Sequence, residues 1–152
     1  MNAAEAWYRR RVGLRGTALW VTGFGWTTYG VGIITDPRYG VQRGVQVLTS
    51  ICPLWWWGLL WIVCGVTAAV SAVRRPGRDV VGFAAAALPP MTWAGAFVIA
   101  WATGGYPQAW TSVPAWCVPL TLLGVVATMS ARYTAALRRI RVLERERGDG
   151  AG

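Results

Sequence analysis

The chain is 152 residues long, 55% hydrophobic and only 14% charged, with 15 basic residues, all arginine, against six acids and no histidine. A water-soluble domain carries about a quarter charged residues, so this composition, with its 11 tryptophans, points to lipid rather than water as the surrounding medium. It excludes a disordered chain, a collagen-like repeat and a disulfide-dense miniprotein, and the lack of histidine and scarcity of acids argue against an enzyme.

Residues 1–16 form a basic segment holding Arg9, Arg10, Arg11 and Arg15. The apolar stretch that follows is longer than a signal-peptide core and runs into Asp36-Pro37-Arg38 without a small-x-small cleavage pattern, which suits a retained first span. A bilayer core about 30 Å thick takes roughly 20 helical residues to cross. Four uncharged stretches meet that length, at 17–35, 51–73, 80–103 and 113–131. Because lipid cannot satisfy bare backbone groups and no alternating barrel pattern is present, each is expected to be a helix. The fold class expected is therefore all-α: an integral membrane four-helix bundle spanning 17–131, with a basic cytoplasmic tail over 132–152.

Between the first two spans, DPRYG has the composition of a turn that Asp36 and Pro37 start and Gly40 ends. In Val41–Cys52, Val41, Val45, Leu48 and Cys52 share one helical face, with Gln42, Gln46 and Thr49 opposite, as in a short helix lying on the outer headgroups. Inside the third span, Pro89 and Pro90 predict a kink near Ala86, because each ring removes a donor and crowds the carbonyl four residues earlier. The freed carbonyls of Ala85 and Ala86 are expected to face another helix or a wet cavity, and Thr92 is placed to donate to the Leu88 carbonyl. The fourth helix is expected to continue from Pro114 to about Arg147, since no Pro or Gly interrupts it between Gly124 and Gly148; Tyr133, Leu137, Ile140 and Leu143 recur there at helical spacing among arginines.

Small residues mark where membrane helices touch. Gly23 with Thr27, Thr28 with Gly32, Gly65 with Ala69, Ala68 with Ala72, Gly82 with Ala86, and Gly124 with Thr128 are such pairs. Four crossings put the two tails and the second loop on one side. That side collects thirteen arginines, among them the lipid-contact candidates Arg9, Arg10, Arg11, Arg74, Arg75, Arg78, Arg138, Arg139 and Arg141; Arg38 and Arg43 fall on the other. The positive-inside rule then places both termini in the cytoplasm of a cell with this protein in its inner membrane. Anionic lipid of the inner leaflet attracts each nearby arginine by about 1 kcal/mol, and no nucleic-acid motif accompanies the charge. Tryptophans anchor helices at headgroup depth. Trp55, Trp56, Trp57, Trp101, Trp110 and Trp116 are the outer candidates, and Trp7 and Trp20 the inner ones.

No constellation for catalysis, metal or cofactor binding is present, and the spans hold no ionisable side chain of the kind ion-coupled transport uses. Cys52 and Cys117 map to the outer ends of their spans. A disulfide between them needs Cα atoms closer than about 7 Å; two unpaired apolar fillers is the preferred alternative, and Cys64 fits packing. The phrase Arg15 to Gly44, RGTALWVTGFGWTTYGVGIITDPRYGVQRG, with the following WWWGLLWIVCG, the RRPGRD turn and the WAGAFVIAWATGG stretch, resembles small membrane proteins of actinobacteria and their phages. That resemblance implies a small four-span protein and carries no catalytic residue to this chain. The functional expectation is a non-enzymatic membrane protein with a structural or interaction role, partnered by lipid and by a second copy or another membrane protein. A phage holin and a small transporter or channel are the alternatives.

Overall fold

A computed structural model describes residues 13–74 and 80–149, and all of its regular structure is helical. Six α-helices follow in order: α1 (Gly13–Thr35), α2 (Tyr39–Gly44), α3 (Gln46–Thr49), α4 (Leu54–Ala72), α5 (Val80–Ala102) and α6 (Val113–Asp149), with a 3-10 turn at Ala109–Ser112 just before α6. The four long helices alternate in direction. Successive ones pack on each other, α1 on α4, α4 on α5 and α5 on α6, and smaller contacts of α1 with α5 and α6 close the bundle. One end, the looped end, carries α2, α3 and the 3-10 turn; the other, the terminal end, carries the start of α1 and the end of α4.

Among the described residues, three stretches are long and apolar enough to cross a membrane: Leu54–Ala72, Val80–Ala102 and Ala109–Tyr133. Helix α1 matches α5 at 23 residues, but glycines, threonines and Arg15 dilute its apolar content, and it does not join those three. Those same glycines set how it packs. Gly23 lies against Gly65 and Ala69 of α4, and Gly30 against Gly58 and Trp61. A Cβ on Gly23 would sit 2.5 Å from the Gly65 carbonyl oxygen, and one on Gly30 2.6 Å from that of Gly58. Neither backbone could yield, so only glycine permits this approach. Both helices repeat their glycines at a seven-residue spacing, and antiparallel packing brings the two repeats into register. Lipid gives packed helices no solvent to escape, so such close van der Waals contact is what joins them.

The anticipated small-residue pairs divide. Gly23 with Thr27, and Gly65 with Ala69, meet across α1 and α4, and Gly82 packs on Ser71. Ala68, Ala72 and Ala86 are fully buried. Gly32 and Gly124, by contrast, have open space for 4 Å around the position a Cβ would take, and Thr28 and Thr128 are exposed beside them. Those two pairs face outward.

The core has two levels. Toward the terminal end, Leu19, Ala68, Ala72, Ala86 and Leu123 pack together with Phe83 beside them. Toward the looped end the filling is aromatic, around Trp61, Trp93 and Phe97. Arg15 ties the terminal end: its Nη2 donates to the Arg74 carbonyl at 2.9 Å, next to the last turn of α4. A cation at a helix C-terminus meets the negative end of the helix dipole.

Two expectations about the looped end need correction. Gly40 does not close a turn; it lies within α2, which starts at Tyr39. The amphipathic segment is not one short helix either, but two. It breaks at Val45, and its apolar face packs into the protein, with Val45 and Leu48 buried in the same cluster as Phe97. Gly44 allows that, since a Cβ there would overlap the Phe97 ring of α5. Gln42 and Gln46 remain exposed, as the amphipathic pattern requires. Helix α6 reaches Asp149, two residues past the expected end.

Candidate functional site

The feature that draws on all four long helices is a cluster of six rings at the looped end. Helix α1 contributes Trp26 and Tyr29, α4 contributes Trp57 and Trp61, α5 contributes Trp93 and α6 contributes Trp116. Trp61 is fully buried and is the hub. Its ring centroid lies 5.0 Å from that of Trp26 and 5.3 Å from that of Trp93, both edge to face at 87°. Tyr29 stands 4.6 Å away and Trp116 5.4 Å. Tyr29 and Trp116 touch each other at 5.4 Å, and Trp57 reaches Trp93 at 6.3 Å. Edge-to-face pairs place the positive rim of one ring on the negative face of the next, contributing about 0.5–1.5 kcal/mol each beyond the area they bury.

Spacing explains how the rings converge. Trp57 and Trp61 are four apart and share a face of α4, and Trp26 and Tyr29, three apart, share a face of α1. Glycines one turn away, Gly30 and Gly58, bring the two backbones close enough for these rings to interleave.

The polar edges of the rings are treated unequally. Trp26 Nε1 donates to the Ala86 carbonyl at 2.8 Å, one of the two acceptors that the proline pair leaves without an amide. Pro89 and Pro90 are buried inside a helix that runs unbroken from Val80 to Ala102. Thr92 Oγ1 donates to Leu88 at 2.9 Å on the same stretch. Trp57 Nε1 donates to the Leu48 carbonyl at 3.0 Å, fastening α3 to α4. Trp61 Nε1 is buried without a hydrogen-bond partner, while Trp93 Nε1 and the Tyr29 hydroxyl, both buried, lie beside each other. An unpaired buried group costs about 1–3 kcal/mol, which the ring contacts offset. The side chains of the cluster are five indoles and one phenol, which offer dispersion, π faces and N–H and O–H donors, and among the described residues there is no group of side chains that could hold a metal ion.

Among the tryptophans proposed as anchors, Trp20, Trp55, Trp56, Trp101 and Trp110 are about half exposed around the outside. Trp55 and Trp56 stack with centroids 4.4 Å apart. Trp57 and Trp116 turn inward to the cluster, and Trp7 lies outside the described residues. Sequence reasoning missed the cluster's centre: Trp26, Trp61 and Trp93 were the signal, being tryptophans in the middle of spans rather than at their ends. Of the lipid-contact arginines, Arg74 and Arg139 are exposed. Arg9, Arg10, Arg11, Arg75 and Arg78, and the side chains of Arg138 and Arg141, lie outside what is described. The candidate Cys52–Cys117 disulfide is not formed. Both thiols are free, Cys117 being exposed because Trp116 takes the inward place at that level of α6. Cys64 is free and buried within α4.

A second, shallower feature is a cleft of about 310 Å³ at the looped end, lined by Arg43, Gln46, Ser50 and Thr103 among others. Comparison with protein-family models, curated proteins and solved structures finds no match to this chain.

Proposed function

We propose that the chain is a multi-pass integral membrane protein in which α1 supplies a fourth crossing, both termini face the cytoplasm, and the role is structural or interaction-mediating rather than enzymatic. The observation that carries this reading is the outer surface of the bundle. Phe24 and Val31 on α1, Val63 and Val70 on α4, Leu88 and Met91 on α5, and Leu122 and Met129 on α6 are all large, apolar and exposed. A soluble bundle needs a polar outer stripe on every helix; lipid needs none. The glycine contacts that bind α1 to α4 support its place as a span despite its lower apolar content. Exposed Arg74 and Arg139 suit an anionic inner leaflet, and the exposed indoles suit headgroup depth.

The test is fractionation followed by cysteine scanning in cells. The protein should stay in the membrane after alkaline carbonate washing. An impermeant thiol reagent should label Gln46→Cys and Gln108→Cys from outside, and Gly77→Cys and Ala151→Cys only after permeabilisation. The opposite labelling would overturn the orientation, and a soluble protein would overturn the whole reading.

Holin-type permeabilisation of the inner membrane, with a phage or prophage origin, is the second reading. Gly25, Gly32 and Gly95 leave open space on the outer surface, which suits assembly of many copies. Induced expression separates the two: abrupt loss of membrane potential supports the holin, and normal growth with stable insertion removes it.

A further inference from the structure

Helix α6 differs from the other long helices in how little of it the bundle covers. Over an apolar window of 18 residues, only 6% of the residues within Ala109–Tyr133 are buried, against 33% within Leu54–Ala72 and 44% within Val80–Ala102. Leu123, in the small-residue level of the core, is its buried residue among those described. Ten residues further, Tyr133 stands about 15 Å beyond that level at 1.5 Å per residue. The helix continues unbroken to Asp149. It enters this stretch at Arg132, the first charge after the apolar run.

Across that boundary runs one apolar seam with coiled-coil spacing. Leu122, Val126, Met129, Tyr133, Ala136, Ile140 and Leu143 recur at alternating steps of four and three. With Tyr133 set at position a, Val126 and Ile140 also occupy a, and Leu122 and Leu143 occupy d. Past Arg132 the a positions are Tyr133 and Ile140 and the d positions Ala136 and Leu143, and the pair Ile140 at a with Leu143 at d is the combination that favours two parallel strands. Along the membrane part, lipid can cover the seam. Past Arg132 it cannot: Tyr133 is 68% exposed and Ile140 51%. Because α6 runs through the boundary as one uninterrupted helix, this stretch continues the span rather than beginning a separate helix.

We propose that the seam of α6 pairs with the same seam of a second copy, forming a parallel two-stranded coiled coil over about residues 133–146, the two heptads before Arg147. The proposal rests on the four-span reading, which makes every copy insert in one orientation and so leaves parallel pairing as the geometry available. Charge favours the same partner. In this register Arg139 falls at g and Glu144 at e, the two positions that face each other between parallel strands. A symmetric pair therefore sets Arg139 of each copy opposite Glu144 of the other. Two heptads are short for a free coiled coil, but confinement to one membrane raises the effective concentration of the partner.

The full chain, with Cys52→Ser, Cys64→Ala and Cys117→Ser, is oxidised in native membranes after single substitutions along the helix. Ala136→Cys and Ile140→Cys should give covalent dimer at roughly fivefold or greater yield than Ala135→Cys and Arg138→Cys, which lie away from the seam. Uniform yield along the helix, or none, overturns the pairing. A charge swap is the second measurement, read as dimer fraction by single-molecule photobleaching in zwitterionic vesicles. Arg139→Glu should lower it and Arg139→Glu with Glu144→Arg should restore it; a double variant no better than the single one also overturns the proposal. If Ile140→Cys is shielded from a soluble thiol reagent by anionic vesicles without any cross-link, the seam lies on lipid and the second copy is wrong. Loss of membrane association, by contrast, would mark failure of the four-span reading rather than of the pairing.

Discussion

The membrane-length stretches Leu54–Ala72 of α4 and Ala109–Tyr133, which leads into α6, are equally apolar, yet a third of the first is buried inside the protein and only 6% of the second, each taken over an apolar window of 18 residues. The difference is side-chain size along one face. Helix α4 presents Gly58, Cys64, Gly65, Ala68, Ser71 and Ala72 to its neighbours, with Trp61 filling the space they leave. Helix α6 presents leucine, valine and methionine, and most of them look outward. Apolarity decides which medium surrounds a helix. Among lipid-bathed helices it does not decide which ones touch, because hydrocarbon is as good a neighbour as leucine.

The sharpest way to break this comparison is to put a methyl group into the α1–α4 contact. A Cβ on Gly65 would meet Thr27 Oγ1 at 2.5 Å, the Gly23 carbonyl oxygen at 2.6 Å and the Thr27 amide nitrogen at 2.7 Å. Gly65→Ala should therefore destabilise the protein by about 3 kcal/mol, the upper part of the range for overpacking. Detergent-denaturation midpoints on the purified chain would read it. An unchanged midpoint would mean that the two helices do not approach as closely as described.

The bond between Trp26 and Ala86 comes next. Trp26→Phe keeps an aromatic side chain but removes the N–H and part of the bulk, leaving a buried acceptor unpaired, which costs about 1–3 kcal/mol on top of the lost packing. Pro90→Ala returns an amide to the same carbonyl, so Trp26→Phe should cost less in that background. Equal costs in both backgrounds would separate the indole from the proline.

How much of this was legible beforehand depends on the kind of signal. The ends of α1, α4 and α5 fell within a few residues of the uncharged windows, which mark the stretches that charge cannot enter cheaply in lipid. The length of α6 was legible from the absence of breakers. The partner of Gly23 was not: small-xxx-small spacing marks a face without naming what covers it, and Gly32 and Gly124 carry the same mark with open space before them. The aromatic cluster escaped for a related reason. Tryptophan is common at membrane interfaces, so Trp57 and Trp116 were assigned there, whereas Trp61, fixed between Gly58 and Gly65, draws them inward.

Arg15 offers a smaller test at the terminal end. It is 8% exposed and donates to the Arg74 carbonyl. Arg15→Met keeps the bulk of the side chain and loses that donor, for an expected cost of about 1.5 kcal/mol, low in the range for hydrogen bonds to charged groups. The same denaturation assay reads it, and no change would show that the α4 end is capped by other means.

The smallest effect expected is of the opposite sign. Gly124 has nothing within 4 Å of a Cβ position and sits in the interior of a helix. Gly124→Ala removes backbone freedom from the unfolded chain and meets no obstacle, so stability should rise by about 0.5 kcal/mol, below the roughly 0.8–1.0 kcal/mol separating glycine from alanine in water. Gly124 lies on the side of α6 away from the Leu122–Val126–Met129 seam, so pairing through that seam leaves the gain intact. A loss of stability at Gly124 would instead reveal a neighbour closing on this face as tightly as α1 closes on α4, and the contrast between α4 and α6 would then belong to the single chain alone.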